Sequence, residues 1–289
     1  MSNIEIVIQP KVSDLGDNFF VRRSLPNIEK KMVGPFIFWD HMGPVELEGD
    51  KTMVVRAHPH IGLSTITWLF SGEIMHRDSL GNEQMIKPGE VNWMTAGRGI
   101  AHSERASSAG SPLMLEGIQL WLALPKEYED IEPNFFHCKE NELPLKFDQD
   151  SKLILIAGSA CGMKSPVPVY SDLFYLNGDF KKDFVFDMPL PGNHEGAVYV
   201  VEGEIDVESA CFERFSLVVF RKGTGLSFKV NKDSKVLIFG GAVFPERRYI
   251  WWNFVSSDRE KIENAKKDWK AGRFSKVINE SEVIPLPSE

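Results

Sequence analysis

Most of this chain consists of short apolar or alternating runs interrupted by Gly, Pro, Asn and Asp, and few segments have helical periodicity. In the run Gly117–Pro125, for example, apolar residues alternate until the proline ends the segment. Alternation with a period of two is typical of strands, and turn residues at short intervals are typical of sandwiches and barrels. The sequence therefore predicts an all-β fold.

One helix is predicted near the C-terminus, at about residues 257–271. Ser257 and Glu260 have the spacing of a capping box, in which the two side chains satisfy backbone amides of the first turn. Gly272 then ends the helix. The helix carries an apolar stripe that we expect to pack against a domain: Ile262, Ala265 and Trp269.

Two domains are expected, because a chain of 289 residues exceeds the usual size of a single domain. Residues 1–130 form the predicted N-terminal domain, and residues 151–289 form the C-terminal domain with the helix. The interval 131–150 is acidic, contains proline and is weakly patterned. These features indicate a linker.

The two halves contain a faint internal repeat. Leu69–Ile74 resembles Val200–Ile205, and each reads as a strand, a glycine-containing turn and a new strand. If the halves are duplicates, His194 is the one histidine near the position that matches the first histidine pair described below, and the partner region 215–222 contains none. We therefore expect the second copy to have lost any metal site.

Charge and cysteine content narrow the possible partners and the cellular location. A net charge of −8 argues against direct nucleic-acid binding, which requires a basic surface. The three cysteines are far apart and suit a reducing compartment. Neither a signal peptide nor an apolar run long enough to span a membrane is visible, so we expect a cytoplasmic protein without membrane contact.

Two short motifs carry side chains that bind metals: His58-Pro59-His60 and His102-Ser103-Glu104. On a strand, residues i and i+2 point to the same face, so each motif presents two such side chains together. Two strands of this kind facing each other would bring three imidazoles and one carboxylate to one point. Such a set suits a catalytic divalent transition metal, because coordination positions remain open.

The motifs have a simpler explanation that the spacing does not exclude. With 7 histidines in the chain, one His-x-His motif arises by chance in roughly one such chain in six. Four polar residues that are hydrogen-bonded in the mouth of a barrel would give the same pattern. The β-rich, glycine-bounded sequence around both motifs nevertheless favours the metal site.

At these residues the chain resembles the pirin family, a two-domain branch of the cupin superfamily. The matching stretches are Arg56–Gly62, Gly72–Gly81 and Pro88–Glu104, within a resemblance that spans roughly residues 20–125. The second half is similar to the pirin C-terminal domain and includes the segment Lys267–Phe274. The resemblance implies two jelly-roll-like cupin β-barrels with a short C-terminal helix.

The resemblance also implies a ligand set. In pirins, one divalent metal, usually Fe(II), is held by the residues that match His58, His60, His102 and Glu104; Mn, Co, Ni, Cu or Zn are alternatives. Ordinary cupins have a glutamate four or five residues after the His-x-His motif, where Ser64 and Thr65 stand in this chain. Glu104 would supply the carboxylate instead, which favours a pirin over a general cupin.

The implied activity is that of a quercetin 2,3-dioxygenase, which cleaves a flavonol-like substrate with O₂. Glu104 would be the fourth ligand or the general base. A second hypothesis is a non-enzymatic iron or redox sensor that acts through a protein partner; a cupin isomerase or sugar-binding protein is disfavoured. His76 and His41 could orient an imidazole, although a surface or turn role is the simpler expectation for each.

Overall fold

The structure is a computed structural model, and it describes residues 2–14, 19–48, 52–107, 112–148 and 150–288. The described residues form one α-helix, two short 3₁₀ turns (Lys126–Tyr128 and Glu140–Glu142) and the following strands. In chain order the strands are β1 (Ile4–Ile8), β2 (Lys11–Asp14), β3 (Phe20–Leu25), β4 (Phe36–Leu47), β5 (Thr52–His60), β6 (Leu63–Ser71), β7 (Ile74–Asp78), β8 (Glu83–Ile86), β9 (Val91–Thr95), β10 (Ile100–Ser107), β11 (Leu113–Ala123), β12 (Asn134–Cys138), β13 (Leu145–Asp148), β14 (Ser151–Ala160), β15 (Met163–Lys164), β16 (Leu173–Phe180), β17 (Phe184–Met188), β18 (His194–Glu202), β19 (Glu204–Val207), β20 (Ala210–Glu213), β21 (Leu217–Phe220), β22 (Leu226–Val230), β23 (Ser234–Ala242), β24 (Tyr249–Trp251) and β25 (Phe254–Ser256). The helix α1 spans Arg259–Lys270. The prediction of an all-β fold with one C-terminal helix is confirmed.

The chain forms two compact units, and each is assembled from three separate segments. The histidine unit comprises Val12–Val21, Phe38–Glu140 and Pro245–Glu289. The apolar unit comprises Met1–Lys11, Arg22–Ile37 and Asn141–Phe244.

The histidine unit contains a four-stranded antiparallel sheet with the order β5-β10-β7-β8. A seven-stranded sheet, with the order β12-β9-β6-β11-β4-β3-β2, lies mainly in the same unit. Apolar side chains at alternate strand positions form the core of this unit, including Leu69, Ile74 and Leu115. Strand β10 lies between β5 and β7, so its side chains have neighbours on both sides.

The apolar unit has the same two-sheet plan. Its four-stranded sheet has the order β17-β22-β19-β20. Its eight-stranded sheet has the order β1-β21-β18-β23-β16-β14-β13, and β15 pairs with β14. The small sheets of the two units match strand for strand, because β5, β10, β7 and β8 correspond to β17, β22, β19 and β20. This correspondence supports the duplication predicted from the sequence.

The repeated turn fixes the register between the two copies. Gly72 and Gly203 both adopt positive φ, at 82° and 73°, in the tight connection from the large sheet to the small one. A Cβ at Gly203 would lie 2.1 Å from Ser234 Oγ, so no larger residue fits there. Met75, the third residue after Gly72, pairs with Arg105 in the histidine unit. Asp206, the third residue after Gly203, pairs with Lys229 in the apolar unit. Arg105 and Lys229 are therefore equivalent positions.

This register shows what occupies the candidate metal positions in the second copy. His58 pairs with His102. The equivalent pair in the apolar unit is Met188 with Leu226. The replacements are Met188 for His58, Leu226 for His102 and Phe228 for Glu104, and all three apolar residues are buried in the core. The partner region expected in the second copy, residues 215–222, is wrong. It contains β21, which corresponds to β9, whereas the equivalent of β10 is β22.

The structure differs from the sequence-based domain bounds in two places. The interval 131–150 contains β12, which pairs with β9, and β13, which pairs with β14. Phe135 and Phe136 give β12 the apolar contacts that its acidic neighbours lack. The tail Pro245–Glu289 belongs to the histidine unit rather than to the second half of the chain. The bounds 1–130 and 151–289 themselves stay a prediction.

Helix α1 begins one residue later than a cap at Ser257 would place it. Its N-cap is Asp258, whose carboxylate accepts a hydrogen bond from the Glu260 amide at 2.8 Å. The predicted cap at Ser257 is wrong, because both the hydroxyl and the amide of Ser257 donate to the buried Glu129 carboxylate, at 3.2 and 2.7 Å. The apolar stripe packs as predicted, with Ile262 and Ala265 buried beside Ile61 and Phe254. Within the described ranges, no helix is long and apolar enough to cross a membrane.

Candidate metal centre

Three histidines from two paired strands converge in the histidine unit. His58 and His60 lie on one face of β5, and His102 on β10 is paired directly opposite His58. At most 6% of each residue is exposed. One ring nitrogen from each of the three lies within 4.8 Å of the other two. The structure thus brings together the three imidazoles that the two motifs suggested.

Backbone carbonyls fix the protons of two of these rings. His58 Nδ1 lies 2.8 Å from the carbonyl oxygen of Arg56, and His60 Nδ1 lies 3.2 Å from that of Asn253. A carbonyl oxygen only accepts, so in each neutral ring Nδ1 carries the proton and donates it. The lone pairs of both rings are therefore on Nε2.

The third ring is held by another histidine. His102 Nδ1 lies 3.4 Å from Nδ1 of His76, and His76 Nε2 lies 3.2 Å from Asp78 Oδ2. The Asp78 carboxylate accepts, so in a neutral His76 ring Nε2 donates and Nδ1 is left as an acceptor. His102 must then donate through Nδ1, which leaves the lone pair of His102 on Nε2 as well.

Three Nε2 lone pairs consequently face a common point. The Nε2 atoms of His60 and His102 are only 3.0 Å apart. With both Nδ1 atoms protonated, no proton lies between them, so the two lone pairs repel. A cation at this point would turn the repulsion into attraction, and neutral imidazole nitrogen is a preferred ligand of divalent transition metals. The residues present therefore fit the metal that the ligand pattern implied.

Burial keeps these histidines neutral. Loss of solvation lowers the pKa of His58 to about 4, although its bond to the Arg56 carbonyl opposes the shift. Burial, and then the neighbouring imidazoles, hold the pKa values of His60 and His102 well below their usual range. All three rings are thus unprotonated near neutral pH, which is the form that binds metals.

Glu104 lies at the edge of this cluster. The register between β5 and β10 shifts between His102 and Glu104, because β5 has one extra residue there, and Glu104 stands opposite His76 in the register with β7. A carboxylate oxygen lies within 4.8 Å of ring nitrogens of His76 and His102, which makes a second group beside the three-histidine group. Burial raises the pKa of Glu104, while the electrostatic influence of the neighbouring His76 and the hydroxyl of Thr67, 3.2 Å from Oε1, oppose the increase.

Aromatic rings fix the positions of the imidazoles. Trp121 contacts His60 edge-on, with ring centroids 5.1 Å apart, and Phe38 stacks on Trp121 at 3.9 Å. On the other side, Phe135 stacks on His76 at 4.5 Å. The apolar rings also limit the access of water to the imidazoles that they cover.

The family models for the two pirin domains match this chain. "Pirin" matches residues 18–122, and "Pirin C-terminal cupin domain" matches residues 175–275. A pirin-like protein of Caulobacter vibrioides is 46% identical, over 98% of this chain and 99% of the relative. The chain belongs to the pirin family. The fold expected from the resemblance, two cupin domains, is therefore confirmed.

Two other similar proteins bear the name of an enzyme. A Pseudomonas aeruginosa protein named "putative quercetin 2,3-dioxygenase" is 36% identical over 93% of this chain and 85% of its own length. A solved structure of quercetin 2,3-dioxygenase from Acinetobacter baumannii is 30% identical, with a TM-score of 0.91, and the match covers 98% of this chain and 95% of the solved one.

Part of this centre was not predicted from the sequence. His76 was named as a residue that could orient an imidazole, but a surface or turn position was the simpler expectation; it is buried against His102. The spacing of His76 and Asp78, again i and i+2, was a signal that could have identified the pair. Asn253 contributes through its backbone carbonyl, which no sequence motif reveals. His41 pairs instead with Glu116, at 3.1 Å.

Proposed function

We propose that this pirin-family protein is a metal-dependent dioxygenase that cleaves flavonol-like substrates with O₂. The observation that carries the proposal is the convergence of three buried imidazoles, with one ring nitrogen of each within 4.8 Å of the other two. The names of the Pseudomonas and Acinetobacter proteins supply the substrate class. His58, His60, His102 and Glu104 form the proposed metal site, and Fe(II) is the first candidate metal. When bound, such a metal supplies a redox-active Lewis acid beside the substrate.

The protein's own groups account for the orientation of the site. The carbonyls of Arg56 and Asn253 and the ring of His76 hold the three imidazoles with Nε2 inward. Fixed ligands of this kind are ready to bind without rearrangement, which is what outer hydrogen-bond partners contribute in metal sites generally.

Glu104 is the proposed general base. It lies beside His76 and His102, in a group that shares only His102 with the three-histidine group, and this position at the edge of the metal site favours proton transfer over a role as an equal ligand. In ionised form it would accept the hydroxyl proton of a flavonol, which converts the substrate to the electron-rich flavonolate that O₂ attacks. Thr67 holds the carboxylate with its hydroxyl.

The test is oxygen uptake and carbon monoxide release with quercetin, using protein loaded anaerobically with Fe(II). We expect one CO released for each O₂ consumed, and no turnover by a His102→Ala variant. A protein that demonstrably holds iron but neither consumes O₂ nor releases CO would contradict the proposal. The sensor hypothesis would then be examined through binding to partners in the two oxidation states of iron.

A further inference from the structure

We propose that Asp78, acting through His76, sets the tautomer of His102 and thereby keeps His102 Nε2 free to bind a metal. In this arrangement Asp78 and His76 are positioning residues that lie outside the metal site. The inference rests on the proposed metal site for its functional meaning. Its structural core, the proton arrangement of three side chains, is independent of any metal.

The orientation of the Asp78 carboxylate is fixed from one side. Its Oδ1 atom accepts hydrogen bonds from the backbone amides of Leu80 and Asn82, at 2.9 and 3.1 Å, and from Asn82 Nδ2 at 3.1 Å. These bonds close the turn between β7 and β8. A backbone N–H group can only donate a hydrogen bond. Oδ1 must therefore remain an acceptor, while Oδ2 faces His76 Nε2 at 3.2 Å and also accepts a hydrogen bond from Asn82 Nδ2 at 2.8 Å.

The ring of His76 is fixed as well. The residue is 3% exposed and is stacked on Phe135, with the ring planes only 18° apart. Its strand, β7, is paired with β8 on one side and with β10 on the other. The ring has little freedom to turn, so Nε2 stays on Asp78 and Nδ1 stays on His102 Nδ1.

Because of these constraints, the hydrogen bond at Asp78 Oδ2 determines whether His102 Nε2 keeps its lone pair. An Asp78→Asn substitution preserves the shape of the side chain and its capacity to form the same turn. Because Oδ1 must accept from two backbone amides, the amide nitrogen takes the place of Oδ2 and donates to His76 Nε2. Asn82, whose Nδ2 donates to Oδ2 in the unaltered protein, then turns its side-chain oxygen toward this nitrogen. The proton of His76 then moves to Nδ1, where it meets the Nδ1 proton of His102.

Only one rearrangement relieves that clash without moving the rings. The proton of His102 shifts from Nδ1 to Nε2, where it points at His60 Nε2, 3.0 Å away. The lone pair needed for a metal is then lost, although none of the proposed ligands has been changed. If Asp78 served only to close the turn, the proton of His102 would stay on Nδ1 in the variant.

The first measurement is the tautomer of His102 in the full-length, metal-free protein labelled with ¹⁵N-histidine, read from two-bond ¹H–¹⁵N correlations. We expect the Nδ1–H form in the unaltered protein and the Nε2–H form in Asp78→Asn. Affinity for Co(II), measured by competition with a chelating dye, should fall by about 10- to 100-fold in the variant, which is the usual effect of an outer hydrogen-bond partner. A matched control is Glu83→Gln, an acid-to-amide change on the same hairpin, which should alter neither quantity.

A double variant distinguishes positioning from folding damage. His76→Phe retains the stacking on Phe135 but removes the acceptor, so His102 is no longer forced into either tautomer. Adding His76→Phe to Asp78→Asn should therefore restore Co(II) affinity to the level of His76→Phe alone. Retention of the Nδ1–H form in Asp78→Asn, or a double variant weaker than both single variants, would overturn the proposal. Because the tautomer is read without metal or substrate, a failure of quercetin turnover would leave this result standing.

Discussion

His60 Nε2 lies 3.0 Å from His102 Nε2, although the Nδ1 atom of each ring is already committed as a donor. Two lone pairs at this distance are unfavourable unless a cation lies against them. The surrounding fold maintains the arrangement with hydrogen bonds to both outer nitrogens and with the aromatic rings of Trp121 and Phe135. Part of the folding free energy therefore supports a geometry that suits the proposed metal site.

Metal binding should accordingly stabilise the protein. At a free Co(II) or Fe(II) concentration 100 times the dissociation constant, the free energy of unfolding should rise by about 2.7 kcal/mol, because the metal binds the folded state. Chemical denaturation with and without metal measures the change. His102→Gln should abolish it, whereas His194→Gln, in the apolar unit, should leave it intact. Equal stabilisation of the His102 variant would place the metal elsewhere.

The metal-free protein should lose stability as the pH falls from about 6.5 towards 4. Burial lowers the pKa of His58 to about 4, so over this interval the unfolded chain binds a proton that the folded protein does not. The unfolded state is then favoured, by about 3 kcal/mol from this residue once the pH reaches 4. His60 and His102 act in the same direction, since burial lowers their pKa values as well.

Urea denaturation in the presence of a chelator, at several pH values between 7 and 4, measures this dependence. His58→Gln removes one titrating group, so the decline should be shallower by about 3 kcal/mol than in the unaltered protein. His137→Gln, at a partly exposed histidine outside the cluster, serves as the control. Parallel curves for the unaltered protein and the His58 variant would show that His58 is not buried in neutral form.

Glu104→Gln should reduce turnover more than it reduces metal content. The glutamine keeps the size of the side chain and can still contact Thr67, but it cannot accept a proton from the substrate. General-base catalysis typically contributes about 10²- to 10⁴-fold, so the rate constant kcat should fall within that range. Metal analysis of the same preparation should show near-normal loading. Parallel losses of metal and activity would make Glu104 a ligand and remove it as the base.

The proposed ligand positions could be found from the sequence because their signal is local. Two side chains at i and i+2 share a face of a strand wherever that strand lies, so His58 with His60, and His102 with Glu104, could be paired in advance. The role of His76 depended on the pairing of β7 with β10, and that of Asn253 on a carbonyl 193 residues from His60. Such contacts follow from tertiary structure and leave no periodicity in the chain.

The strands within residues 131–150 were not predicted from the sequence for a related reason. Composition suggested an irregular segment at 131–150, but Phe135 and Phe136 find partners on β9 across the sheet. At the helix, two adjacent residues, Ser257 and Asp258, could each have capped the first turn. The choice was decided by Glu129, a buried carboxylate that engages Ser257 and leaves Asp258 to serve as the cap.

The apolar unit should bind no metal, and its equivalent positions should be sensitive to loss of volume instead. Phe228, which corresponds to Glu104, is 3% exposed and stacks on Phe186 with ring centroids 5.1 Å apart. Phe228→Ala should reduce the free energy of unfolding by about 3–5 kcal/mol, the usual cost of a large cavity in a core. Metal content should remain one ion per chain. A second bound ion that disappears in Phe228→Ala would show that the apolar unit holds a metal after all.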